Sequence, residues 1–154
     1  MSTPEERIAE LGLELPDVVA PLASYVPAVR TGSLVYTSGQ VPIVKGEVAV
    51  TGKVGAEVTV EEAVQAARIC ALNAVAALKA EVGELSRVVR IVKVVGFVAS
   101  APSFTDQPLV INGASDLLGE IFGDVGRHAR SAVGVAALPR DVPVEVELIA
   151  EVAG

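Results

Sequence analysis

The sequence predicts an α+β domain in which two long helices lie on one face of a β-sheet of at least five strands. Three observations carry this. Thr59-Val60-Glu61-Glu62 opens an alanine-rich segment that runs without a breaker to Val82, residues 88–98 are almost continuously β-branched, and two further strand-like runs follow at 130–136 and 142–152. Two long helices cover only one face of such a sheet. If the other face is apolar, a further copy of the chain is the natural cover.

Taken in order, Thr3-Pro4-Glu5-Glu6 followed by Ile8, Leu11 and Gly12 predicts a short peripheral helix with a cap, a first-turn proline and a glycine stop. A Pro-punctuated stretch runs from Leu15 to Pro27, so residues 1–24 read as an N-terminal extension of a single domain spanning 1–154. Ser33 to Val44 reads as a strand that Lys45-Gly46-Glu47 turns into Val48-Ala49-Val50, a hairpin. At 59–62 the Thr59 hydroxyl and Glu62 carboxylate can satisfy reciprocal backbone N–H groups. The helix they open would bury Ala63, Ala66, Ala67, Cys70, Ala74 and Ala77, and Gly83 ends it. Within that stripe Cys70 reads as a small core residue. Val88 to Val98 is a strand, Gln107 to Phe122 the second helix, and Arg130 to Ala136 and Val142 to Val152 the last two strands.

An apolar share of 51% with 20% charged residues over 154 residues excludes a disordered chain and allows one real core. The net charge of −7 works against a polyanionic partner, so nucleic acid is not an expected ligand. One cysteine excludes an internal disulfide. One histidine leaves too few ligands for a His/Cys metal site or a Cys-His nucleophile. No metal and no cofactor are expected, and chemistry falls to Arg, Glu, Asp, Tyr, Ser and backbone groups. The N-terminus has no apolar signal-type run and no later stretch reaches about 18 uninterrupted apolar residues, so a soluble, cytoplasmic protein without membrane contact is expected.

Arg130 stands out, because strand alternation puts Ala132, Gly134 and Ala136 on its face and leaves a long cation beside a shelf of almost no side-chain volume. That is the shape of an anion pocket; the other reading is an ion pair at a subunit contact. Glu145 and Glu147 share one face of the last strand, either as its solvated side or as an acid near Arg130 able to orient or deprotonate water. The register between the last strands, which the sequence leaves open, decides whether Glu145 shares a face with Arg130. His128 sits at a loop-strand junction and reads as a surface or capping histidine. Tyr25 fits a packing anchor, Ser38-Gly39 a bulge or close backbone approach, and Asn112-Gly113-Ala114-Ser115 turn or cap chemistry opening the second helix.

Together, Thr37-Ser38-Gly39-Gln40-Val41-Pro42, Ala129-Arg130-Ser131, Leu138-Pro139-x-Asp141 and Val144-Glu145-Val146-Glu147 resemble the RidA family, also called the YjgF/YER057c/UK114 family. The match runs from about Tyr25 to Val152. The resemblance implies a chorismate-mutase-like fold, a mixed β-sheet with two helices packed on one face, and homotrimers with ligand clefts between subunits. It also implies that Arg130 holds a substrate carboxylate, that Glu145 positions the attacking water, and that Tyr25 lines the cleft with the backbone around Ser38 and Gly39. The family's helix asparagine falls at Ser115, with Asn112 as a substitute. Ala132 replaces a cysteine found in many deaminating members, and Gly134 and Ala137 replace larger polar residues. These departures, with a longer Tyr25-to-Arg130 spacing, mark a divergent subgroup.

The function so implied is a deaminase hydrolysing reactive enamines and imines, of the 2-aminoacrylate type, to a 2-oxo acid and ammonia without metal or cofactor. A non-catalytic or regulatory binder of small carboxylates is the second reading. Ribonuclease is the third, and the charge and the absence of a basic aromatic groove argue against it.

Overall fold

The computed structural model of the chain describes residues 1–18 and 24–154. The Pro-punctuated stretch 15–27, and with it the end of the expected 1–24 extension, lies partly outside the described residues. Helix α1 (Pro4–Glu10) forms as expected, with the Thr3 hydroxyl accepting from the Glu6 N–H and Gly12 turning the chain at φ +73°. It is less peripheral than its sequence suggests. Ile8 joins the main core, while Glu5 accepts from both Lys79 Nζ (2.7 Å) and the Leu85 N–H (3.0 Å), pinning α1 to the end of the next helix.

The strand expected over 33–44 is three pieces. Strand β2 (Leu34–Thr37) pairs back on β1 (Ala28–Thr31), a strand whose four mixed residues carry too short a pattern to be read in advance. At Ser38-Gly39 the chain leaves the ladder. Gln40 then exchanges backbone bonds with Val146, and Pro42, which has no N–H to give, precedes a separate ribbon of β3 (Ile43–Val44) and β4 (Glu47–Val48). The hairpin expected here is present. Lys45 and Gly46 both take positive φ, +52° and +83°, the two-residue turn that matches strand twist.

Helix α2 (Val60–Val82) starts at the reciprocal Thr59/Glu62 cap and ends at Gly83, and all six residues of its expected stripe are buried. It is long and apolar enough to cross a membrane, yet its apolar stripe is engaged with the chain's own core. Strand β5 (Val88–Ala99), helix α3 (Gln107–Phe122) and strand β6 (Ala129–Val135) form a parallel crossover unit, and β7 (Val144–Val152) enters between β2 and β5. The main sheet therefore runs β1-β2-β7-β5-β6, antiparallel except for β5-β6. Its register puts Val35, Ala150 and Ile91 in one row and Val98 and Val144 in another, all buried. Both α2 and α3 contribute buried residues to that same core.

The opposite face carries Tyr36, Ile149 and Lys93 in one row, Val95, Glu147 and Ser131 in the next, and Phe97, Glu145 and Val133 in a third. Tyr36 is 43% exposed, its ladder neighbour Val29 52%, and Val133 on the far edge strand 44%. A face this apolar is costly to leave in water.

Close helix contact depends on Gly113. A Cβ there would lie 2.2 Å from the Val64 carbonyl oxygen of α2, a backbone atom that cannot step aside. Gly113→Ala is expected to cost about 3 kcal/mol despite alanine's better helix propensity, lowering Tm by roughly 10 °C in a melt followed by circular dichroism.

Candidate functional site

Two groups of side chains emerge, and they sit on opposite faces of the sheet. Strand β6 is the outermost strand, and its register sets Arg130 beside Val94, Ala132 beside Gly96 and Gly134 beside Val98. Val94 and Val98 are fully buried, so Arg130 belongs to the helix-covered side, at its open edge. There α3 supplies its partners. Arg130 Nη1 donates to Asn112 Oδ1 (2.8 Å) and Ser115 Oγ (3.2 Å), and Nη2 donates to the Pro108 carbonyl (3.4 Å).

Asn112 and Ser115 are three residues apart, which aligns them on one helix face. They do not open the helix as their sequence suggested, for α3 begins at Gln107 and both lie within it. Asn112 and Ser115, the two candidates for the family's amide position, both accept from the same guanidinium nitrogen. The ion pairs among the described residues are Lys53–Asp141, Arg68–Glu120 and Lys79–Glu5. Arg130 is in none of them. Among the described residues its charge is held by neutral groups alone, which leaves it available to an anion.

The small-residue shelf beside Arg130 is partly filled. Gly134 lies against Gln107, whose Nε2 donates to the Phe104 carbonyl (2.9 Å) and Ser100 Oγ (3.2 Å), and a Cβ at 134 would come within 2.7 Å of that nitrogen. Ala136 lies past the end of β6. Sequence reading missed Gln107; its only advance signal was a glycine in a strand, which marks a close approach without naming what approaches.

The second group gathers on the other face. Glu145 pairs with Phe97 in register and is half-buried; loss of water around it, and secondly the Glu147 charge, raise its carboxyl above the usual range. Gly39 lies against it, since a Cβ there would sit 2.3 Å from Glu145 Oε2 and 2.8 Å from Cδ. Ser38 holds the neighbouring loop, donating from Oγ to the Val26 carbonyl (2.5 Å) and from its N–H to the Pro27 carbonyl (2.8 Å). Tyr25, 47% exposed, is the residue before Val26. Ser38, Gly39 and Glu145 thus form a second patch with the Tyr25 loop tied to it.

Strand β5 separates β6 from β7, so Arg130 and Glu145 neither neighbour each other in the ladder nor face the same way. The register question left by the sequence is answered: one chain does not present both groups to one ligand. Among the described residues no three His, Cys, Asp or Glu side chains converge to hold a metal ion. Cys70 is fully buried in the core, and burial pushes its thiol well up.

Gly39→Ala should displace the Glu145 carboxyl without unfolding the protein, because the added methyl meets only the far end of a flexible side chain. A melt followed by circular dichroism should show Tm nearly unchanged.

Residues 5–152 match the model of the family described as "YjgF/chorismate_mutase-like, putative endoribonuclease". The chain belongs to this family. Among YjgF-type relatives, TCP17 of Trypanosoma cruzi is 49% identical over 94% of this chain and 91% of its own. Atu1372 of Agrobacterium tumefaciens, a protein of unknown function, superposes with a TM-score of 0.92 at 48% identity, covering 97% of this chain and 92% of its own. TdcF of Escherichia coli, solved with bound serine, gives a TM-score of 0.61 at 27% identity over 90% and 93% of the two chains. The α+β architecture with its mixed sheet is thus the YjgF fold, as the sequence motifs implied.

Proposed function

We propose that this YjgF-family protein is a cofactor-independent deaminase that hydrolyses small carboxylate-bearing enamines and imines, such as 2-aminoacrylate, to a 2-oxo acid and ammonia. The observation that carries the reading is a guanidinium bonded only to Asn112, Ser115 and a carbonyl, with no carboxylate of its own among the described residues. A bound carboxylate completes it through charge-assisted, bidentate pairing. That TdcF was solved with serine, another small carboxylate, supports this substrate class.

The catalytic cleft lies between subunits of a homotrimer, Arg130 coming from one chain and Glu145 from the next. Two facts support that arrangement: the two groups point to opposite faces of one sheet, and the face without helices exposes Val29, Tyr36 and Val133. Arg130 fixes the carboxylate, and Glu145 orients water against the C=N carbon of the imine tautomer. Oxygen bonds to that carbon, the proton relay returns hydrogen to nitrogen, and the C–N bond breaks to release ammonia. Such substrates are already electrophilic, so positioning and one proton relay suffice.

One observation favours a plain carboxylate binder: within one chain the anion-holding group has no acid beside it, because Glu145 lies on the opposite face of the sheet. The deciding experiment generates 2-aminoacrylate in situ with a pyridoxal-phosphate dehydratase and follows keto-acid and ammonia appearance. Wild type should accelerate both. Arg130→Ala and Glu145→Gln homomers should be inactive, and chains of the two kinds refolded together should regain part of the activity, because some mixed interfaces join an intact Arg130 to an intact Glu145. Carboxylate binding without accelerated ammonia release would favour the binder, and RNA cleavage lost with Arg130 would favour a nuclease.

A further inference from the structure

The only histidine of the chain stands behind the arginine's hydroxyl partner. His128 Nδ1 lies 2.6 Å from the Gly126 carbonyl oxygen, and its Nε2 lies 2.9 Å from Ser115 Oγ. A carbonyl has no proton to give, so Nδ1 carries the hydrogen. In the neutral ring Nε2 is then a bare lone pair, and the Ser115 O–H points at it. With its proton committed in that direction, the Ser115 oxygen turns its lone pairs toward Arg130 Nη1.

The chain of bonds therefore has one direction. Arg130 donates to Ser115, Ser115 to His128, and His128 to Gly126, each bond polarising the next. Its effect on the guanidinium is specific. Both protons of Nη1 are taken, by Asn112 and Ser115, and Nη2 gives one to Pro108, while Nε makes no bond among the described residues. Nε–H, unbonded among the described residues, and the adjacent Nη2 form one edge matched to the two oxygens of a single carboxylate.

We propose that His128 is a positioning residue for the anion site: by accepting the Ser115 proton it locks Arg130 in the orientation that offers the Nε/Nη2 edge to a carboxylate. This rests on the reading of Arg130 as the carboxylate holder. Its expected contribution is about five- to tenfold in carboxylate affinity, the factor that one ordinary hydrogen bond makes.

The test needs no turnover, so it stands apart from the deaminase proposal. Nitrogen-15 spectra of the wild type, which contain one imidazole, should show the neutral Nδ1–H tautomer. Pyruvate affinity, measured by calorimetry, should fall about five- to tenfold in His128→Ala and in Ser115→Ala. His128→Gln should restore more of it than His128→Asn, because a glutamine oxygen can stand at the Nε2 position and accept from Ser115, whereas asparagine reaches only Gly126. A histidine that merely caps Gly126 would give the reverse order. An Nε2–H tautomer, asparagine outperforming glutamine, or unchanged affinity in His128→Ala would overturn the assignment. Should pyruvate not bind wild type at all, the carboxylate reading of Arg130 fails, while the tautomer still reports whether the bond chain exists.

Discussion

Arg130→Ala should lower kcat/KM for 2-aminoacrylate by at least about a hundredfold while moving Tm by no more than about 3 °C. The two halves of this expectation have separate causes. Truncation removes two charge-assisted bonds to the ligand carboxylate, worth about 1.5–3 kcal/mol each, and every 1.4 kcal/mol is a factor of ten. The fold loses little, because among the described residues the guanidinium joins no ion pair and its partners are two neutral side chains and one carbonyl at an open sheet edge. Water can take its place there. Arg130→Lys separates charge from shape: an ammonium keeps the charge but reproduces neither the grip on Asn112 and Ser115 nor the free edge, so it should recover only a small part of the activity. Keto-acid release coupled to a reporter dehydrogenase, alongside a thermal melt, reads both quantities. Full turnover by the alanine variant would remove the arginine from the mechanism.

Much of this arrangement was legible in the residues, and the illegible parts share a physical cause. Both long helices were visible because their signals are local: a Thr59/Glu62 box, a spaced alanine stripe and a terminating Gly83 all act within a few residues. Strand β5 was visible because β-branched residues run nearly unbroken through it. Strand β1 was not. Four residues with no apolar alternation owe their structure to β2, and pairing across a turn leaves little trace in so short a segment. The break of the 33–44 strand was written at Ser38-Gly39 and Pro42, but its position depends on Gln40 finding Val146 more than a hundred residues away.

The site divides in the same way. Arg130 was conspicuous by contrast with its small neighbours, and Glu145 by the alternation of its strand. Their placement on opposite faces follows from the two registers in which β5 pairs with β6 and with β7, long-range pairings that local pattern does not contain. Gln107 and the His128–Ser115 bond were hidden for a related reason. Each joins α3 to β6 or to the residue just before it, and neither contact is local in the chain.

Glu145→Gln should produce opposite effects on activity and stability, a combination that generic damage does not give. For activity, the amide keeps the volume and hydrogen-bonding capacity of the acid but exchanges no proton, so kcat should fall about 10²- to 10⁴-fold with KM changed little. For stability, the sign follows from the raised carboxyl of Glu145, which burial and then Glu147 hold above its unfolded value. Between the unfolded and folded values the native state binds more protons than the unfolded one, so wild-type stability falls as pH climbs through that window. Above the window wild type carries the cost of a half-buried charge, and glutamine does not. The variant should therefore melt higher than wild type at pH 7–8, and the gain should shrink toward zero by about pH 4, where the unfolded carboxyl is also protonated. Paired melts across that range measure it. A Tm difference independent of pH would mean that the ionised carboxylate carries no folding cost at this position, and retained turnover would show that the proton passes through another group.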